Sequence, residues 1–169
     1  MSPGDPTTPS TEIRRGLEGV VAGETSISEV DGHRCQLIYR GYHIDELVGR
    51  ATYEEVSYLL LYGTLPTRAQ LTDWTAQLSA ARALDPSVLS SLQALPRQAE
   101  PMALLRTAIS VLSHHDAEAE DESLQAIRRK AVRTIAKTPT IVAASGRLRA
   151  GKPLLVPKAG LGHAASFLS

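Results

Sequence analysis

No aspartate or glutamate follows Glu122, although the 169-residue chain has 18 acidic residues, all between Asp5 and Glu122. Nine lysines or arginines occupy the acid-free stretch, so a part of net charge −9 precedes a part of net charge +9. Cysteine occurs once, as Cys35, which excludes an internal disulfide and a cysteine-based metal cluster. Phenylalanine and tryptophan also occur once each, so Leu, Ile, Val and Ala have to build the core. No apolar run approaches the ~20 residues of a membrane span. No basic segment followed by an apolar one opens the chain, which argues against a secretory signal. These absences predict a cytoplasmic protein with no membrane association, and the length fits one domain.

What is present reads as mostly helical. Residues 1–11 are rich in Pro, Ser and Thr, the composition of a disordered tail. Two strand-like runs, Thr25–Val30 and Arg34–Tyr39, flank Asp31-Gly32. That pair predicts a tight hairpin in which both turn residues take positive φ, with Gly32 as the sensitive position. Arg40-Gly41-Tyr42 turns the chain out of the second strand. Thr52 with Glu55 and Thr67 with Gln70 are capping-box patterns that start helices, and Gly63 and Pro66 stop the first. The second carries Leu71, Trp74 and Leu78 at helical spacing. Asp85-Pro86 opens a short helix with Val88, Leu89, Leu92 and Leu95 on one side.

Two further helices stand out. Over 101–113, Met102, Leu105, Ile109 and Leu112 form one stripe and Leu104, Ala108 and Val111 another, with Arg106 the only charge. Such a helix needs cover on both sides, and a domain this size predicts that part of it comes from elsewhere. The longest pattern runs over 123–150. Leu124, Ile127, Ala131, Ile135 and Val142 share a stripe, Arg129, Lys130, Arg133 and Lys137 cluster on another side, and Pro139 predicts a kink. Gly160–Ser169 reads as the first turns of a further helix that runs out at Ser169, as a cut would leave it.

The residues yield little chemistry. His33 beside the hairpin turn reads as exposed, and His43 precedes acids that favour a helix start. His114, His115 and Asp116 are adjacent, so they do not share a helix face, and Glu118, the one further acid in range, belongs to a polar loop. A metal site is disfavoured there. Cys35, in a strand without an activating partner, reads as a half-buried structural residue. Gly160-x-Gly162 is too short for a phosphate loop and reads as a turn. The basic residues Arg128, Arg129, Lys130, Arg133, Lys137, Arg147, Arg149, Lys152 and Lys158 lack interleaved aromatics, which disfavours nucleic-acid binding and points to a helix face beside an acidic partner.

Several segments in one order resemble bacterial citrate and 2-methylcitrate synthases: Gly16–Gly32, Tyr39–Leu47, Tyr53–Thr67, Leu95–Arg97, Pro101-Met102 with Leu105–Ala108, Ile135–Ala144 and His163–Leu168. The resemblance covers 12–169. It implies a mostly α fold with a short N-terminal β-hairpin, an incomplete large domain over 12–169, and no small domain. It implies an acyltransferase of the tricarboxylic acid cycle that joins an acyl-CoA to a 2-oxo acid, as acetyl-CoA and oxaloacetate give citrate. Acetyl-CoA is there a substrate, and no cofactor or metal is implied. The Asp that takes the methyl proton, the two His residues that stabilise the enol and activate the carbonyl, and the carboxylate-binding Arg residues fall, by resemblance, beyond His163–Leu168. The expected catalytic, substrate-binding and metal residues of this chain are therefore none. Arg40, Gly41 and Tyr42 are family-like but structural. The chain alone is expected to be inactive, as a truncated enzyme or as a noncatalytic dimerisation or regulatory partner of a full-length homologue. The partner helices implied are about 101–113 and 123–150, toward a second copy or that homologue.

Overall fold

The computed structural model describes Val21, residues 23–158 and residues 160–169. The tail read over 1–11 lies outside the described residues. The described chain opens with a three-stranded antiparallel meander: β1 (Ser28–Asp31), β2 (Gln36–Tyr39) and β3 (Tyr42–His43), in the order β1-β2-β3. Seven helices follow: α1 (Ile44–Leu47), α2 (Tyr53–Tyr62), α3 (Arg68–Ala80), α4 (Pro86–Ala94), α5 (Pro101–His114), α6 (Leu124–Arg149) and α7 (His163–Leu168). The fold is mostly α, as the sequence and the resemblance imply.

The meander corrects the turn expected at Asp31-Gly32. Asp31 pairs with Gln36, so the first turn is a four-residue loop, Gly32–Cys35. The Asp31 carboxylate builds it by accepting the backbone N–H groups of His33 and Arg34 at 2.9 and 3.0 Å. The positive φ falls on Cys35, at 53°, and Cys35 is exposed in this loop rather than half-buried in a strand. The two-residue turn with both φ positive occurs one connection later. Arg40 (φ 49°) and Gly41 (φ 89°) join Tyr39 to its partner Tyr42 and create β3, which the sequence reading missed. Arg40 then ties the sheet to the helices. Its Nη2 donates to the Leu60 carbonyl of α2 at 2.9 Å and its Nη1 to Ser26 Oγ at 2.6 Å.

Both expected capping boxes close. Thr52 Oγ1 accepts the Glu55 N–H at 3.2 Å while Glu55 accepts the Thr52 N–H at 2.7 Å. Thr67 and Gln70 do the same at the start of α3. Gly63, left-handed at φ 89°, ends α2. Ser123 caps α6, which runs through Pro139 as one helix to Arg149, a length of about 39 Å at 1.5 Å per residue.

α6 is the common wall of two cores. Its first half presents Val132 and Ala136 to Trp74 and Leu78 of α3. Its second half presents Ile141 and Ala144 to Leu92 of α4 and to Leu104 and Ala108 of α5. The buried stripe is thus Ala126, Val132, Ala136, Ile141 and Ala144, interleaved with the stripe read from sequence. On that other stripe Leu124, Ile127 and Val142 are exposed at 63%, 47% and 40%. Alanine dominates the core face because the large residues of α3, α4 and α5 fill the space. On α5, Leu104 and Ala108 are buried, Leu105, Ile109 and Leu112 are partly buried against the same core, and Met102 is 67% exposed. This chain therefore covers much of both α5 stripes, more than the sequence reading assigned to it.

The division of charge resolves within the chain. Arg133 forks onto Asp116 with bonds of 2.8 and 3.0 Å and reaches Glu118 at 2.9 Å. Arg129 also pairs with Glu118. Lys130 donates to the carbonyls of Ala119 and Asp121 at 3.0 and 2.8 Å. The acidic partner of the basic helix face is thus the chain's own loop between α5 and α6.

The loop geometry moves the sensitive turn position from Gly32 to Cys35. Cys35→Val forces a β-branched residue into the left-handed region and is expected to lower stability by about 1 kcal/mol. Gly32 has no positive φ and nothing within 4 Å of an added Cβ, so Gly32→Ala is expected to stay within about 0.5 kcal/mol of the parent. Urea unfolding of the two variants measures both.

Candidate functional site

Among the described residues three ionisable side chains are buried, and they meet. Glu54, Arg82 and His163 are 8%, 3% and 6% exposed. Glu54 sits in the first turn of α2, Arg82 just beyond α3, and His163 at the start of α7. The Glu54 carboxylate accepts the His163 backbone N–H at 2.6 Å, across 109 residues of sequence. The His163 ring lies flat on Tyr53, with centroids 4.3 Å apart and planes 3° from parallel. Arg82 Nη1 donates to the Leu161 carbonyl at 2.8 Å. Together these contacts pin the entry to α7 against α2 and α3. Gly162 permits the approach, since a Cβ there would stand 3.3 Å from the Glu54 carboxylate.

Burial disfavours the charged imidazole, and the Arg82 guanidinium adds repulsion, so the His163 pKa falls below 6.5 although Glu54 pulls the other way. The Nδ1 of His163 and the Nε and Nη2 of Arg82 are buried without a hydrogen-bond partner. Tyr53 is shifted up, first by burial and then by Glu54. Beside the cluster lies a cavity of about 570 Å³, walled by Arg82, His163, α6 from Ala136 to Ala150, the segment after it, and α7.

The other residues weighed from sequence are scattered. His33 is exposed, as read. The His43 N–H donates to Glu46 at 2.8 Å in capping α1. His115 Nε2 lies 3.3 Å from Ser87 Oγ, while Asp116 and Glu118 are taken up by Arg133. Among the described residues no group of three or more His, Cys, Asp or Glu side chains could hold a metal ion. Gly160-x-Gly162 is a turn, with Gly160 at φ 78° and Gly162 capping α7. Glu54 and Arg82 were missed. Glu54 is hidden inside a capping box, Arg82 in a run of small residues, and their partners lie far along the chain.

No described helix is long and apolar enough to cross a membrane. The family model for the citrate synthase C-terminal domain matches residues 16–169. The citrate synthase of Haloferax volcanii is 44% identical over 163 residues, covering 94% of this chain and 43% of that protein. The 2-methylcitrate synthase of Mycobacterium tuberculosis is 43% identical over 157 residues, covering 93% of this chain and 39% of that protein. Among solved structures, the citrate synthase of Thermoplasma acidophilum in a ternary complex with carboxymethyl coenzyme A and oxaloacetate superposes with a TM-score of 0.87 at 27% identity. That match covers 93% of this chain and 41% of the other. The chain thus spans about two fifths of the length of the relatives it matches.

The cluster and the acidic loop predict two steps of acid destabilisation. A base whose folded pKa is lowered favours the neutral form, so its contribution is complete above 6.5 and falls away as pH drops below that value. Glu118 behaves as a depressed acid: hydrogen bonds from Arg129 and then Arg133 lower it from 4.5 to about 2, so its contribution falls away across that window. In Tm against pH, His163→Phe is expected to remove the loss that begins near 6.5, and Glu118→Gln to flatten the limb below 4.5.

Proposed function

The chain belongs to the citrate synthase family, and from that premise we propose that residues 12–169 form the front of the family's large domain and carry none of the groups that perform the family's chemistry. In the complete enzyme the reaction joins an acyl-CoA to a 2-oxo acid and hydrolyses the thioester. The observation that carries this reading is the mismatch in coverage: nearly all of this chain aligns, on only 43% and 39% of the two relatives. The resemblance of 163–168 to the segment preceding the first active-site histidine supports it. The buried Glu54–Arg82–His163 cluster fits a structural role in this reading, because its contacts bind α7 rather than open a nucleophile to solvent.

A second reading, a noncatalytic dimerisation or regulatory partner, rests on the apolar surface left on α5 and α6. Met102, Leu124, Ile127 and Val142 stay in water, and apolar surface of this kind gains roughly 25 cal/mol per Å² when covered. The helices over 101–113 and 123–150 would then meet a second copy or a full-length homologue.

Two measurements test these readings. Purified chain, free of host enzyme, is expected to release no CoA thiol from acetyl-CoA and oxaloacetate. Turnover on the order of 1 per second or more would overturn the inactive-front reading. Light scattering over a concentration series is expected to show self-association of the parent and a monomer for Met102→Glu/Ile127→Glu, with helix content by circular dichroism unchanged. A parent that is monomeric throughout removes the interface reading.

A further inference from the structure

We infer that His163 is an acid-sensitive latch on α7: a proton on its imidazole releases α7 from α2 and α3 while both cores along α6 stay folded. The inference goes beyond the family reading and does not rest on it. It begins with how little else holds α7. His163, 6% exposed, is the only buried residue of that helix. Phe167 and Leu168 are 44% and 81% exposed, and neither core cluster includes a residue of α7. A helix of six residues does not persist alone in water. Its docking therefore rests on what His163 and the turn before it touch, and its local stability is low.

Those contacts suit a neutral ring. The ring lies on Tyr53 at 4.3 Å, Glu54 accepts the His163 N–H at 2.6 Å, and Arg82 donates to the Leu161 carbonyl at 2.8 Å. An imidazolium carries a proton on both nitrogens, which would make the buried, unpartnered Nδ1 a donor with no acceptor. Charge points the same way. Glu54 and Arg82 offset each other in the cluster, so a proton on His163 would add an unanswered positive charge to a buried place. The charged and titratable groups around the ring are Tyr53 and Glu54 of α2 and Arg82 beyond α3. Arg147 of α6, Lys152 and Lys158 share its cavity. Glu54 is the one acid among them.

Burial, and then Arg82, hold the His163 pKa below 6.5 in the docked helix, with Glu54 opposing, and release restores the ordinary value. The released form binds the proton more tightly. Docking is therefore indifferent to pH above 6.5 and weakens by about tenfold per pH unit below it, until the docked pKa is reached. His163 and α7 wall one side of the cavity of about 570 Å³, so release opens that side to solvent.

The test is amide hydrogen exchange of the full chain, expressed as protection over the free-peptide rate, about 1.5 units above and about 1.5 units below 6.5. The reporters are the His163 N–H and the Ser166 N–H, which donates to the Gly162 carbonyl at 2.9 Å. Both are expected to lose at least tenfold in protection at the lower pH, while amides of α3 and α6 stay more strongly protected than the reporters at both. His163→Phe keeps an aromatic ring and the backbone N–H but cannot take the proton, and is expected to hold α7 equally at both pH values. Arg82→Gln removes the neighbouring positive charge and is expected to reduce the acid loss; a merely structural Arg82 would leave that loss as large. Reporters that keep their protection in acid, or lack it at both pH values, overturn the proposal. So does protection equal to that of α3 and α6, which would mean that α7 opens only with the whole fold, and so does an acid loss that survives His163→Phe. Should the Phe variant fail to hold α7 at the higher pH, Arg82→Gln decides, and an undiminished acid loss there overturns the latch. None of these readouts measures CoA release or self-association, so each outcome leaves the family reading untouched.

Discussion

One helix face organises the described chain. Ala126, Val132, Ala136, Ile141 and Ala144 run along α6, and each half of that face closes a different core. α3 packs on the first half through Trp74 and Leu78, and α4 and α5 pack on the second through Leu92, Leu104 and Ala108. Small residues at three of these five positions leave room for the larger partners. A methylene added there would overpack the seam, and one deleted from Trp74 or Leu92 would leave a void. With only one Trp and one Phe in the chain, close packing of aliphatic groups carries most of the burial. The aromatic exception is the group around Trp74, whose indole N–H donates to Ser57 Oγ at 3.0 Å while Tyr58 and Tyr62 approach its ring edge-on.

Electrostatics is arranged around the same helix. The Arg133 fork on Asp116 and the Arg129 contact with Glu118 fold the acidic loop back onto α6. A chain divided into −9 and +9 is thereby made locally neutral at its most charged point.

The part of the fold legible in the sequence was the part set by neighbours. Thr52–Glu55 and Thr67–Gln70 closed as capping boxes because both members lie within one helical turn. The α6 bounds, from a Ser123 cap to a stop at Ala150, followed for the same reason. The Asp31-Gly32 turn failed because dipeptide chemistry competes with strand register. Pairing Asp31 with Gln36 put four residues in the loop and moved the positive φ to Cys35. The core face of α6 was misjudged in favour of bulk: Leu124 and Ile127 look like core residues, but the neighbours already fill the interior and these two face out.

The sequence by itself determined helix starts and stops, the mostly α class and the family. Only the tertiary structure decided which apolar stripe of α6 is buried, which of the nine cations pair with the acidic loop, and that Glu54, Arg82 and His163 meet. The reason is range. A cap or a turn is an equilibrium among a few adjacent residues, so its chemistry is written locally. The contact of Glu54 with His163 joins residues 109 apart, and that of Arg82 with Leu161 joins residues 79 apart. Their proximity exists only after α2, α3 and α7 have packed together, and no spacing along the chain announces it.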